Sequence, residues 1–177
     1  MASEIIVNTI KAPTTGANAN KVIIPSGVTL DASAGTLNPS AGQIVQVAET
    51  SYSTVWTNST TTHSQIFGLS FTPKFSNSKI MLQGYLAAET LSGNSDKGGR
   101  YFFYEDSTQL YNSQYDGYNS SNNTQRIDKV VLYFVVGAGS TNARTYYIRG
   151  QSTRAGVSAR VNQYGAPSRL IITEIAQ

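Results

Sequence analysis

The sequence predicts an all-β protein, an antiparallel sandwich of the jelly-roll kind, preceded by a short extended arm. Three observations predict it. Short apolar segments recur at near-regular spacing between turn residues from residue 43 onward, and helical periodicity is nearly absent. Solubility rests on uncharged groups: Ser, Thr, Asn and Gln total 63 of 177 residues, whereas only 13% are charged. The longest apolar run, Val130 to Val136 within KVVLYFVV, is rich in β-branched and aromatic residues and stops at Gly137-Ala138-Gly139-Ser140. That run is too short to span a membrane and does not alternate, so it reads as a buried central strand.

The strands follow in order. They are Gln43 to Glu49, a Ser/Thr-rich passage around Trp56, Gln65 to Phe71, Lys79 to Ala88, Gly99 to Glu105 and Thr108 to Tyr115. Four more are Ile127 to Val136, Ala143 to Gln151, Val157 to Tyr164 and Ser168 to Ala176. Asn77-Ser78, the glycine-rich stretch 92–99 and Asp116-Gly117 supply turns, the last as a two-residue hairpin signal. Residues 43–177 therefore make one domain.

Residues 1–42 differ. Ile5, Val7, Ile10, Val22, Ile24, Val28 and Leu30 stand in short apolar clusters separated by Gly, Pro, Asn and Ser. No cluster folds alone, so this segment reads as an arm for docking or trimerisation, ordered by what it packs against. The stretch 38–42, with Pro39 and Gly42, reads as the linker.

Several strands are apolar on both faces. Ile80 and Leu82 oppose Met81; Leu170 and Ile172 oppose Ile171 and Ile175; Tyr101 and Phe103 oppose Phe102 and Tyr104. A two-layer sandwich buries one face of each strand, so the outer face of a sheet here needs a cover, which either the arm or neighbouring subunits can supply, with subunits the expected source.

Chemistry-bearing patterns are sparse. There is no cysteine, which excludes disulfides and thiolate metal sites. His63 is the only histidine and sits in a Thr/Ser-rich context that reads as an exposed loop. Glu105 and Asp106 are adjacent, which sends them to opposite faces of a strand. Phosphate loops, nucleophile elbows and calcium loops are missing, so neither enzymatic activity nor a cofactor is expected. The net charge of +3 is uneven: residues 126–177 carry seven Lys or Arg against two acids. Arg144, Arg149, Arg154, Arg160 and Arg169 read as solvated or subunit-facing positions, without a nucleic-acid or membrane role. The Tyr/Asn/Ser-rich stretch 111–123, with Tyr111, Tyr115 and Tyr118, has the composition of an exposed contact loop.

Beyond these readings, the chain resembles virion proteins of marine and freshwater tailed bacteriophages, including those of cyanophages. Residues 4–10 (EIIVNTI), 16–21 (GANANK) and 22–31 (VIIPSGVTLD) carry the resemblance in the arm. Residues 42–47 (GQIVQV), the passage from Phe71-Thr72-Pro73 to Ile80, and 168–175 (SRLIITEI) carry it in the domain. The resemblance implies a trimeric jelly roll of the C1q or TNF type, on the capsid surface or on the tail. A trimeric capsid decoration, or cement, protein fits best, because 42 residues leave little room for an adaptor and a shaft. Its partners would be two further copies and the major capsid protein or another virion protein. A short tail or head fibre that binds a host surface glycan is the alternative.

Overall fold

The computed structural model describes Thr15 and residues 39–90, 97–112, 116–119 and 126–177. The arm residues Ile5, Val7, Ile10, Val22, Ile24, Val28 and Leu30, and Tyr115, lie outside that set. By compactness the chain divides into Met1–Asn38 and Pro39–Gln177, of which the second is described below.

The described residues form strands without any helix: β1 (Ile44–Tyr52), β2 (Trp56–Asn58), β3 (Ser64–Phe71), β4 (Lys79–Thr90), β5 (Lys97–Glu105) and β6 (Thr108–Asn112). They continue with β7 (Asp116–Asn119), β8 (Arg126–Gly137), β9 (Arg144–Ser152), β10 (Ala159–Val161) and β11 (Ser168–Ile175). One sheet runs β1-β11-β4-β10-β2, with β8 on the other side of β4; the second runs β3-β9-β5-β6, with β7 also on β5. All pairings are antiparallel. The first strand of the domain lies beside the last, and the chain crosses between the sheets at each step from β2 to β5 and again from β7 to β10, the order of a jelly-roll sandwich.

The core fills the space between the sheets. Ile80, Leu82, Leu170 and Ile172 from one sheet meet Tyr101, Phe103, Tyr146 and Ile148 from the other, all of them fully buried. Two glycines set how closely the layers approach. A Cβ on Gly84 of β4 would stand 2.9 Å from Ile148 Cδ1 and 3.2 Å from Phe103 Cζ, both in the opposite sheet. A Cβ on Gly150 of β9 would stand 2.6 Å from the Trp56 ring. Each glycine is thus the slot for a large side chain from across the sandwich.

Two expectations are corrected here. The apolar run around Val130–Val136 does not form a doubly buried central strand. Among the described residues β8 pairs with β4 alone, and it alternates: Val130 and Leu132 are buried, whereas Val131 is 61% and Tyr133 54% exposed. The central strand is β4, paired on both sides. Asp116-Gly117 is not a hairpin turn; it opens β7, and Asp116 pairs with Gly99 of β5. The end of the linker is fixed: Gly42 adopts φ +85°, its N–H donates to Ala176 O at 2.8 Å, and Ala176 N–H donates back to Gln43 O.

A bulky residue at Gly84 must push Ile148 or Phe103 aside. Gly84→Val is expected to cost about 1–3 kcal/mol of stability by overpacking, read as a lower urea midpoint with an unchanged denaturant slope.

Candidate assembly face

The outer face of the larger sheet is built by register. From β1 across β11 and β4 to β8, three rows read Val47, Thr173, Met81, Val135; Glu49, Ile171, Gln83, Tyr133; and Ser51, Arg169, Tyr85, Val131. Ile175 extends the apolar surface at one end, paired across β11–β4 with Lys79. Val47, Tyr85, Val131, Tyr133 and Val135 are exposed, and Met81, Ile171 and Ile175 are half-buried. At one end of this face, Pro167 from the β10–β11 connection walls an open apolar groove of about 480 Å³. Tyr85, Ala87 and Val131 also line it, with Lys129 and Arg169 supplying cations. Arg169 holds Glu49 at 3.0 Å, an exposed pair of little energetic weight.

The residues singled out for a trimer interface or core therefore separate into three environments. Ile80, Leu82, Leu170 and Ile172 are core. Met81, Ile171 and Ile175 lie on the outer face just described. Phe102 and Tyr104 lie on the outer face of the other sheet, yet they are only 2% and 8% exposed. Their cover comes from the same chain: His63 stacks on Phe102 with ring centroids 3.9 Å apart, and the Arg149 guanidinium sits 4.3 Å from the Tyr104 ring centroid. The contact-loop residues Tyr111 and Tyr118 fall on β6 and β7.

His63 is consequently not a free loop residue. Asn58 orders the connection before it, donating to Thr62 O, Ser64 Oγ and Gly150 O and accepting from the Thr60 amide. His63 Nδ1 is hydrogen-bonded to the Tyr104 hydroxyl. Desolvation, then the charge of Arg149, lowers its pKa. Arg144 is likewise not solvated. Its guanidinium pairs with Glu105 at 3.1 Å and donates to Ala138 O and to both oxygens of Ser140, clasping the β8–β9 connection. Asp106, in the β5–β6 turn at φ +49°, accepts from the Thr145 amide.

Sequence reasoning missed the buried carboxylate of Glu174 on β11. It accepts from the Lys74 and Phe75 amides, from Ser78 Oγ at 2.6 Å and from Gln46 Nε2 at 2.7 Å. Burial alone would raise its pKa; these hydrogen bonds outweigh that and lower it. The carboxylate ties the β3–β4 connection to β1 and β11. Among the described residues no cluster of three or more His, Asp or Glu could hold a metal ion, and no helix is long and apolar enough to cross a membrane.

Fold and surface together define a class: a jelly-roll sandwich with an exposed apolar sheet face. No protein-family model matches the chain, and no curated protein matches it. Among solved structures, the crystal structure of the infectious bursal disease virus VP2 subviral particle aligns with TM-score 0.46 and 11% identity over 87% of this chain and 42% of that one. A structure of the Gt strain of the same virus gives 0.45 and 12%, over 87% and 43%. The chain spans less than half the length of these structures.

Glu174 makes acid sensitivity testable. Its unfolded carboxyl takes up a proton near the ordinary value of 4.5, before the folded one does. The stabilisation is therefore complete above that value and is lost as pH falls below it toward the lowered folded pKa. Glu174→Gln is expected to cost about 3 kcal/mol at pH 7 and to flatten the acid limb of stability against pH, as measured by urea unfolding.

Proposed function

We propose that this chain is a structural protein of a bacteriophage virion, a homotrimeric decoration protein that docks on the head shell and cements it. The observation that carries the reading is the outer face of the larger sheet. Val47, Tyr85, Val131, Tyr133 and Val135, with half-buried Met81, Ile171 and Ile175, expose an apolar surface, interspersed with Glu49, Gln83 and Arg169, that is unusual for a monomer. A closed ring of copies would cover it. The arm and domain motifs that resemble tailed-phage virion proteins support the location and the number of copies.

The mechanism is passive and non-enzymatic. Residues 1–42 act as the foot, and trimerisation presents three feet at high effective concentration, so individually weak contacts hold together. Tying neighbouring capsomers in this way resists internal pressure.

Two experiments test it. Light scattering is expected to return three times the 19.0 kDa chain mass for the intact protein. The double variant Val131→Glu, Tyr133→Glu is expected to give a folded monomer with an unchanged circular dichroism spectrum, since both positions are outside the core. Charges at Leu170 or Ile172 would instead unfold the sandwich. A wild-type monomer at micromolar concentration overturns the assembly reading.

Removing residues 1–42 is expected to leave a soluble β-rich trimer that no longer decorates capsids. Heads lacking the protein should rupture at lower temperature or milder osmotic shock than decorated ones. Full occupancy by the truncated protein assigns docking to the jelly roll, and electron microscopy that places the protein on the tail favours the fibre reading.

A further inference from the structure

The outer face of the smaller sheet is of a different kind, aromatic and cationic. Two register rows define it: Gln65, Arg149, Phe102 and then Gly68, Tyr147, Tyr104, Gln109. Gly68 gives Tyr147 its place: a Cβ there would come within 2.4 Å of Tyr147 Cδ1 and 2.8 Å of Cε1, so the ring lies across the bare backbone of β3. The ring is half-buried in consequence. The Arg149 guanidinium stands over Tyr104 and 5.6 Å from the Tyr147 centroid.

Among the described residues Arg149 has no carboxylate partner. Its one hydrogen bond runs from Nη2 to Asp106 O at 3.2 Å, and its buried Nε has no acceptor. The two acids adjoining it in the fold are otherwise engaged, Glu105 by Arg144 and the Asp106 carboxylate by the Thr145 amide. Gln65 and Gln109 stand exposed on the two flanks.

We infer that this face binds a carboxylated saccharide. A pyranose presents an apolar C–H face that packs on an aromatic ring, and its hydroxyls suit the amide groups of Gln65 and Gln109. The carboxylate of a uronate-type residue is the acceptor that Arg149 lacks, and a guanidinium fork receives it through two parallel hydrogen bonds. The charge selects an acidic sugar over a neutral one. This site lies on the sheet opposite the proposed subunit interface, so its failure leaves the trimer reading intact.

The test uses the full-length protein, with tetragalacturonate as probe and maltotetraose as the neutral control of equal length. Calorimetry is expected to give saturable binding of tetragalacturonate at least tenfold tighter than of maltotetraose. Arg149→Lys keeps the cation but loses the fork, and is expected to weaken tetragalacturonate at least tenfold with an unchanged circular dichroism spectrum. Amide chemical shifts at Gly68, Tyr147 and Gln65 should move on titration of the wild-type protein. Absence of saturable binding to the wild-type protein, equal affinity for the neutral sugar, or an Arg149→Lys variant that binds as tightly as wild type overturns the inference.

Discussion

The close approach of the two sheets at Gly84 and Gly150 is the constraint on which the sandwich depends. Each glycine sits in a different layer and receives side chains from the opposite one, Ile148 and Phe103 at Gly84 and Trp56 at Gly150. Where backbone replaces side chain, large residues interdigitate at native packing density without off-rotamer strain. Stability in a chain without disulfides rests on that fit. Alternation along each pleated strand turns the second apolar set on β4, β5 and β11 away from that interior. Those residues must point outward.

The two sheets solve that problem differently. On the smaller sheet Phe102 and Tyr104 are shielded by His63 and Arg149 of the same chain, amphipathic side chains that cover rings while keeping polar atoms at the surface. On the larger sheet, Ile171 lies between Glu49 and Gln83 and Ile175 beside Lys79, whereas Val131, Tyr133 and Val135 of β8 stay open. An apolar face without local polar cover is stable in water only at a cost of roughly 25 cal/mol per Å² of exposed surface. That asymmetry distinguishes a face suited to copies of the chain from one suited to solvent and small polar ligands.

Strand positions were legible because period-two patterning and turn residues are local signals. All the expected strands between Gln43 and Ala176 have counterparts, with β7 added where a turn was read at Asp116-Gly117. Pairing was not legible. The run at Val130–Val136 looks central by hydrophobicity, but a strand's place in a sheet is decided by partners about fifty residues away, as Val131 opposite Tyr85 illustrates. Glu174 and Arg144 were unreadable for the same reason. A buried charge is tolerable only through partners brought together by folding, here Ser78 and Gln46 for one and Glu105 with Ala138 for the other. The doubly apolar strands were the one long-range feature that local sequence did expose, since an excess of hydrophobic positions needs no partner to be seen.

The position of β8 carries the argument for association one step further. Among the described residues this twelve-residue strand pairs only with β4, on one side. Edge strands in solitary proteins are protected by inward charges, prolines or bulges. Between Val130 and Gly137 β8 has none of these: there is no charged residue or proline, and its pairing to β4 runs without a register shift. A long, regular, apolar edge beside an apolar face would aggregate without limit if association were open-ended. A closed ring consumes both surfaces at once and leaves none for further addition. The same sequence feature that threatens solubility in a monomer is therefore consistent with the finite oligomer proposed above.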